Sequence, residues 1–295
     1  MSENLISGII AGETGAVAKA ITLIENDDPL QDRLFSELYT HNLRAPRVGI
    51  TGPPGAGKSS LTDKLVQNFR EQDKTVAVIV IDPTSPFSGG AILGDRIRMI
   101  RHYNDKDVYI RSMATRGSSG GLAQATQEVG DILDAAGYDI IIFETVGIGQ
   151  VELDIIQASD TVVVVLVPES GDDIQMMKSG LIEIADLYVI NKSDRQGADK
   201  LYISIINLLS DMPHDENKWI SKVVKTVALE SDGVSELIEN IQSHREYIKQ
   251  TGLWIKKLAN RYSKQVKELI FHKQDKAFWK KEICNILDKE LSLPH

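Results

Sequence analysis

The residues best suited to chemistry are the glycines, lysine and serines of GITGPPGAGKSS, which spans 49–60. The core of this stretch fits a phosphate-binding loop, in which glycines let backbone N–H groups turn toward phosphate oxygens. In such a loop Lys58 reaches the β- and γ-phosphates, and the Ser59 hydroxyl binds Mg²⁺. The residues predicted to contact the nucleotide here are Gly52, Pro53, Pro54, Gly55, Ala56, Gly57, Lys58, Ser59 and Ser60.

A second motif, Asn191-Lys192-Ser193-Asp194, follows an apolar run and indicates recognition of guanine. The Asp194 carboxylate can accept from both the N1–H and the N2 amine of guanine, a pair of donors that adenine lacks. Lys192 is predicted to lie along the base, and Asn191 to tie neighbouring loops together. A backbone N–H near Val227, Ala228 and Leu229 is expected to contact the guanine O6. These features predict GTP rather than ATP.

Acidic residues at predicted strand ends form the candidate metal site. Glu144 stands where GTPases usually carry the aspartate of D-x-x-G, and it could hold Mg²⁺ through a water. Gly147 of the same motif could sense the γ-phosphate through its N–H. Asp82 and Asp95 are further metal candidates, although Asp95 could instead cap a helix. Ile148 follows this glycine where Ras-like enzymes carry glutamine, which predicts slow intrinsic hydrolysis.

Seven apolar runs are typical of parallel strands buried on both faces, and helical patterns occupy nearly every gap between them. The predicted strands are 47–51, 75–81, 108–113, 138–144, 161–167, 186–191 and 222–228. A helical pattern over 94–103 would make the second and third strands parallel, whereas Ras-like GTPases have an antiparallel hairpin there. The prediction is an α/β P-loop GTPase of the SIMIBI class, which includes signal-recognition and MinD-like proteins.

Composition and patterning predict the domain organisation and exclude several classes of partner. We expect an N-terminal helical extension (1–44), a GTPase domain (45–250) and two amphipathic C-terminal helices (251–295). A net charge of −9 argues against nucleic acid, and a single cysteine excludes an internal disulfide or a thiolate metal cluster. With no apparent signal peptide or membrane span, a cytoplasmic protein is expected.

Several motifs together resemble the MeaB-like GTPases, which are associated with methylmalonyl-CoA mutase and often filed as ArgK or LAO/AO transport ATPases. The matching stretches are AKAITLIEN (18–26), GITGPPGAGKSSL (49–61), VIDPTSPFSGGAILGDRIRM (80–99), IRSMATRG (110–117), GGLAQAT (120–126), FETVGIGQVE (143–152) and MKSGLIEIADLYVINKSD (177–194). The sequence departs from the family pattern at Ser118-Ser119 and at Val151, in segments expected to face a partner.

The resemblance implies a GTPase that chaperones an adenosylcobalamin-dependent acyl-CoA mutase, gating cofactor loading and protecting the enzyme. It implies that Asp82, Asp95 and Glu144 surround the Mg²⁺ ion. The polar segment 168–180 would be a third switch with Lys178 as its key charge, although a loop leading to a surface helix is also compatible with this sequence. The C-terminal helices would form a homodimerisation arm.

Three other functions fit part of the pattern. A nickel-delivery GTPase would share the loop and sheet, but one cysteine and six dispersed histidines argue against a metal-cargo site. An amino-acid transport ATPase conflicts with the guanine motif. A scaffold that uses GTP only for its shape remains open.

Overall fold

The computed structural model describes residues 2–26, 28, 30–38, 44–82, 99–102, 104–114, 121–145, 155, 157–169, 184–211 and 219–278. Within them the long helices are α1 (Ser2–Ile10), α2 (Thr14–Glu25), α3 (Leu30–Leu38), α4 (Lys58–Glu71), α5 (Gly121–Ala135), α6 (Ala198–Ser210), α7 (Val234–Gln250) and α8 (Leu253–Phe278). Short 3-10 helices cover Ile100–His102 and Ala228–Glu230.

Seven parallel strands form one sheet in the order β3-β2-β4-β1-β5-β6-β7. Their bounds are β1 (Arg47–Thr51), β2 (Val76–Asp82), β3 (Val108–Ala114), β4 (Ile140–Thr145), β5 (Thr161–Leu166), β6 (Leu187–Asn191) and β7 (Lys222–Thr226). All seven predicted strands are confirmed, and so is the parallel pairing of β2 with β3. Because every strand runs the same way, the loops after β1, β4, β6 and β7 leave the sheet at one edge.

Helices cover both faces of the sheet, which explains why the strands are apolar throughout. In β2, Ala77, Ile79 and Ile81 pack with α1, α2, α3 and α5, because alternate side chains of a strand point to the same face. The intervening residues of β2 pack on the opposite face with α4 and α7. Helix α6 packs against β5 and β6 in a third apolar cluster.

The N-terminal helices pack in the same core as the sheet rather than forming a separate bundle. Ile9, Val17 and Leu34 are all buried in the cluster that contains β2 residues. Gly12, with φ +72°, separates α1 from α2, a break that the apolar pattern did not indicate. No single helix in the described ranges is both long and apolar enough to span a membrane. Of the helix pairs in the described residues, only α1 with α2 meets that length and composition, and the two join at a 120° bend.

The chain divides into two compact units, Met1–Trp254 and Ile255–His295. Within the second unit, α8 is continuous to Phe278, and the second predicted C-terminal helix falls outside the described residues. The predicted helix over 94–103 also lies mostly outside them, and its end, Ile100–His102, is 3-10 rather than α-helical. The predicted domain boundaries at 44 and 250 stay predictions.

Candidate nucleotide-binding site

The phosphate loop joins the end of β1 to the start of α4 and needs glycine at two close contacts. Gly52 has φ +140°, and a Cβ there would lie 2.1 Å from the backbone oxygen of Val165 in the neighbouring strand. Gly57 has φ +86°, and a Cβ there would lie 2.3 Å from Asn191 Nδ2. Side chains at these positions would push the loop away from the sheet and from the guanine motif. The glycines therefore fix how closely the two motifs approach each other.

Lys58 is the first residue of α4, and its side chain folds back over the loop. Its Nζ donates to the carbonyl oxygens of Gly52 (2.7 Å) and Pro53 (3.0 Å), and the residue is buried. The N-terminus of a helix carries partial positive charge and unpaired N–H groups, both of which attract phosphate. Phosphate oxygens within the loop would therefore meet an ammonium group already held against its backbone.

Ser59 and Glu144 bring a hydroxyl and a carboxylate together at the start of α4. Ser59 Oγ donates to Glu144 Oε1 at 2.5 Å, and both residues are buried. The pairing of β1 with β4 sets Glu144 opposite Ile50, next to the loop. Hard oxygen donors of this kind are the ligands that Mg²⁺ prefers, so the residues present fit the ion.

The other predicted metal residues are less completely described. Asp82 ends β2, which pairs with β4 such that Ile81 lies opposite Thr145, so Asp82 reaches the same edge of the sheet as Glu144. Asp95 and Gly147 lie outside the described residues. Across the described ranges, no group of three or more His, Cys, Asp or Glu residues could hold a metal ion.

Asn191 connects three loops through one buried side-chain amide. Its Nδ2 donates to the Ala56 carbonyl in the phosphate loop (2.8 Å). Its Oδ1 accepts from the Thr226 hydroxyl and from the Ala228 N–H, both at 3.1 Å. Since the residue is only 2% exposed, these bonds are shielded from competing water. One amide thus holds the phosphate loop, the guanine motif and the loop after β7 in a fixed relation.

Lys192 and Asp194 are placed by the same turn. Lys192 has φ +58°, and its Nζ donates to the Gly55 carbonyl at 2.8 Å, so its alkyl chain runs across the gap between the two motifs. The Ser193 N–H donates to the Thr226 carbonyl at 3.0 Å, which fixes the middle of the turn. Asp194, the predicted reader of the guanine edge, is exposed on this turn.

In the loop after β7, two of the three amides predicted to contact the guanine O6 already have acceptors within the protein. The Val227 N–H donates to the Asp232 carbonyl, and the Ala228 N–H donates to Asn191. Leu229 lies in the first turn of a 3-10 helix, where N–H groups lack intrahelical acceptors. Its N–H is therefore the best suited of the three predicted amides to contact O6.

Two residues near the site were not predicted from the sequence. Thr226 precedes the predicted amides, and its hydroxyl donates a hydrogen bond to Asn191. The sequence feature that could have indicated it is a hydroxyl residue in a strand, two positions before Ala228. Arg195 pairs with Glu169, which follows β5 and is the second residue of the predicted third switch, 168–180. The Arg195 hydrogen bond lowers the pKa of Glu169, and both side chains are about half exposed. Lys178, like the rest of 170–183, lies outside the described residues.

Comparison with known proteins gives a consistent result. The sequence model described as "Methylmalonyl Co-A mutase-associated GTPase MeaB" matches residues 17–282. A protein of Pyrococcus abyssi, named only as a GTPase, is 50% identical over 92% of this chain and 84% of its own length. The mouse methylmalonic aciduria type A homolog, a mitochondrial protein, is 33% identical over 85% of this chain and 64% of its own.

A solved structure supports the same assignment of fold. The crystal structure of an LAO/AO transport system kinase matches 98% of this chain and 90% of its own, with a TM-score of 0.73 and 26% identity. The resemblance noted from the sequence motifs is therefore confirmed, together with the P-loop GTPase fold.

Proposed function

Because the chain belongs to the family of methylmalonyl-CoA mutase-associated GTPases, we propose that it hydrolyses GTP to control adenosylcobalamin loading into an acyl-CoA mutase, and that it protects that mutase. The Asn191 junction carries the GTP-binding part of the proposal, and the family match supports the mutase part. A buried amide that ties the phosphate loop to the guanine motif allows both ends of GTP to be held at once.

In this proposal each part of the site has one task. Lys58 stabilises charge on the transferred phosphoryl group, while Asn191, Lys192 and Asp194 hold guanine. Ser59 and Glu144, with Asp82 and Asp95, would hold Mg²⁺, which when bound neutralises charge on the β- and γ-phosphates. Gly147 would sense the γ-phosphate. With isoleucine at 148, hydrolysis by the isolated protein would be slow, well below ~1 s⁻¹.

Segment 168–180 would carry the nucleotide state to the mutase. A segment can report that state only if it interacts differently with GTP- and GDP-bound forms. Its described start supports this role, because Glu169 pairs with Arg195, the residue directly after the guanine motif. Lys178 would then pair with a switch carboxylate or with the partner in one state only.

Single-turnover hydrolysis with and without an acyl-CoA mutase from the same organism tests the proposal. We expect the mutase to raise the rate, and we expect the ratio of stimulated to basal rate to fall strongly in Lys178→Ala. Lys200→Ala, an exposed lysine on α6, should keep the wild-type ratio. An unchanged ratio in Lys178→Ala would remove Lys178 from the coupling. Failure of every such mutase to stimulate the wild type would refute the chaperone role.

We further propose that the C-terminal arm forms a homodimer. Helix α8 exposes apolar residues whose spacing places them along one side of the helix. They are Ile255, Tyr262, Val266 and Ile270. A second copy related by twofold symmetry would cover this stripe.

Truncation after Gln250 is expected to give a monomer that still binds GTP. Ile270→Asp, which leaves the chain intact, should also weaken the dimer, because it buries a charge in an apolar interface. Asn260→Asp, on the opposite side of α8, should not. Light scattering at micromolar concentration measures all three; a full-length protein that is monomeric there would contradict the proposal.

A further inference from the structure

A cavity of about 220 Å³ lies at the edge of the sheet opposite the phosphate loop. It is bounded by the beginnings of β1 and β4, the last turn of α4 and the middle of α7. Helix α4 lies between the cavity and the phosphate loop, and its 14 residues span about 21 Å. A nucleotide held at Lys58 therefore leaves this cavity free for another molecule.

The floor of the cavity is apolar. Val48, Phe69, Ile140 and Ile241 line it, and all four residues are buried. For comparison, an engineered cavity of ~150 Å³ in another protein accommodates benzene. The space here suits a single ring, or a branched chain of similar bulk, together with a short polar arm.

The rim of the cavity carries charge that is mostly positive. Among the described residues that line it, Asp139 is the only acidic one, and its carboxylate is already engaged by the Thr75 N–H (2.9 Å), the Thr75 hydroxyl (3.1 Å) and Lys74 Nζ (3.7 Å). Burial opposes the charged form of Asp139, but these bonds and the lysine outweigh it and lower its pKa. Asp139 therefore stays ionised near neutral pH and is the counter-ion of Lys74.

Arg245 is the other described cation at the rim, and it takes no part in the pairing of Lys74 with Asp139. It lies on α7 one turn after Ile241, on the same side of the helix, and is half-buried at the cavity wall. Among the described residues it forms no hydrogen bond or ion pair. A guanidinium presents a planar fork of donors that matches a carboxylate in two parallel hydrogen bonds. Partial burial strengthens such a pair, because less water competes for it.

The carbonyl end of α4 does not oppose an anion here strongly, because its last carbonyls are already bonded. The Phe69 carbonyl accepts from Gln72 and Lys74, and the Arg70 carbonyl accepts from Asp73. The negative end of the helix is thereby partly covered, and among the described lining residues Arg245 carries the charge that has no counter-ion.

From the apolar floor and the Arg245 guanidinium, which has no partner among the described residues, we propose that the cavity binds a small carboxylate whose apolar body is about the size of one aromatic ring. The ring or branched chain lies on Phe69 and Ile140, and the carboxylate pairs with Arg245. The site is separate from the GTP site and is occupied together with it. The proposal does not depend on which partner the GTPase serves.

Saturation-transfer NMR on the full chain with saturating GDP and Mg²⁺ tests the proposal, with phenylacetate as the probe. We expect phenylacetate to receive saturation from the protein with a millimolar Kd. Phenylacetamide, which has the same shape without the charge, should bind at least about 10-fold more weakly, and acetate should give no signal. The order of the three probes separates recognition of the apolar body from recognition of the anion.

Arg245→Gln removes the charge and keeps most of the side chain. It should weaken phenylacetate binding at least about 10-fold, since bonds to a charged partner are lost. Lys249→Gln, one turn later on α7 and outside the cavity, removes the same charge and should leave the Kd unchanged. Equal binding by Arg245→Gln, equal binding of phenylacetamide, or no transfer to phenylacetate in the wild type would each overturn the proposal. Thermal melting of both variants checks that they fold.

Discussion

Replacement of Lys58 by alanine is expected to abolish GTP hydrolysis, with a fall in kcat of at least about 10²–10³-fold. The physical reason is electrostatic, because the lysine supplies a positive charge at the phosphoryl group as its negative charge is redistributed in the transition state. The residue is buried and held against two loop carbonyls, so little reorganisation is needed when phosphates bind. Single-turnover hydrolysis of GTP at saturating Mg²⁺ measures the loss.

Two further variants separate charge from position. Lys58→Arg keeps the charge, but its planar fork cannot reproduce the geometry of an ammonium that bonds Gly52 and Pro53, so we expect it to be impaired as well. Lys64→Ala, on the same helix, should hydrolyse GTP at the wild-type rate. Hydrolysis by Lys58→Ala within a factor of about three of the wild type would contradict the assigned role.

The strands could be predicted from the sequence because each is a short apolar run between polar loops, a pattern that two-sided burial requires. The pairing of β2 with β3 followed from connectivity, since parallel neighbours need a crossover between them. The functional edge followed in turn, because parallel strands deliver the loops after Thr51, Thr145 and Asn191 to the same side. Motif spacing and topology were therefore sufficient to bring the phosphate and guanine motifs together.

Contacts between distant loops could not be predicted in the same detail. The bond from Asn191 to the Ala56 carbonyl joins residues 135 positions apart, and its geometry depends on how β1 and β6 flank β5. The close approach of Gly57 to Asn191 has the same origin. Apolar periodicity also did not divide α1 from α2, because the break needs one residue with positive φ, Gly12, and glycine is compatible with many conformations.

The cavity at the edge of the sheet opposite the phosphate loop had no sequence signature. Its described lining residues come from four separate segments, and each of them fits an ordinary structural role when taken alone. Phe69 and Ile241 have the spacing of core positions on their helices, and Arg245 resembles any basic residue on the polar side of a helix. Only the packing of α4 and α7 against the strand beginnings leaves the space between them.

Asp194→Asn is expected to weaken GTP and GDP binding by roughly 2–5 kcal/mol, which corresponds to about 30-fold to several thousand-fold in Kd. The carboxylate accepts from two donors of guanine, and an amide at the same position can accept from only one of them. The same change should improve binding of xanthosine nucleotides. Xanthine has a carbonyl at C2 where guanine has its amine, and the asparagine NH₂ can donate to that carbonyl.

Calorimetry with GDP, ADP and XDP on the wild type and the variant measures this change of preference. Asp199→Asn is a matched control, because Asp199 lies five residues further on, is 89% exposed and pairs only with Lys225 among the described residues. It should leave all three affinities unchanged, since a surface pair of this kind contributes little. The buried bonds of Asn191 and the bond from Lys192 to Gly55 do not involve the Asp194 carboxylate, so the Asp194→Asn site should keep its shape. The expected loss is therefore specific to the base, and equal binding of ADP and GDP by the wild type would refute guanine recognition by this motif.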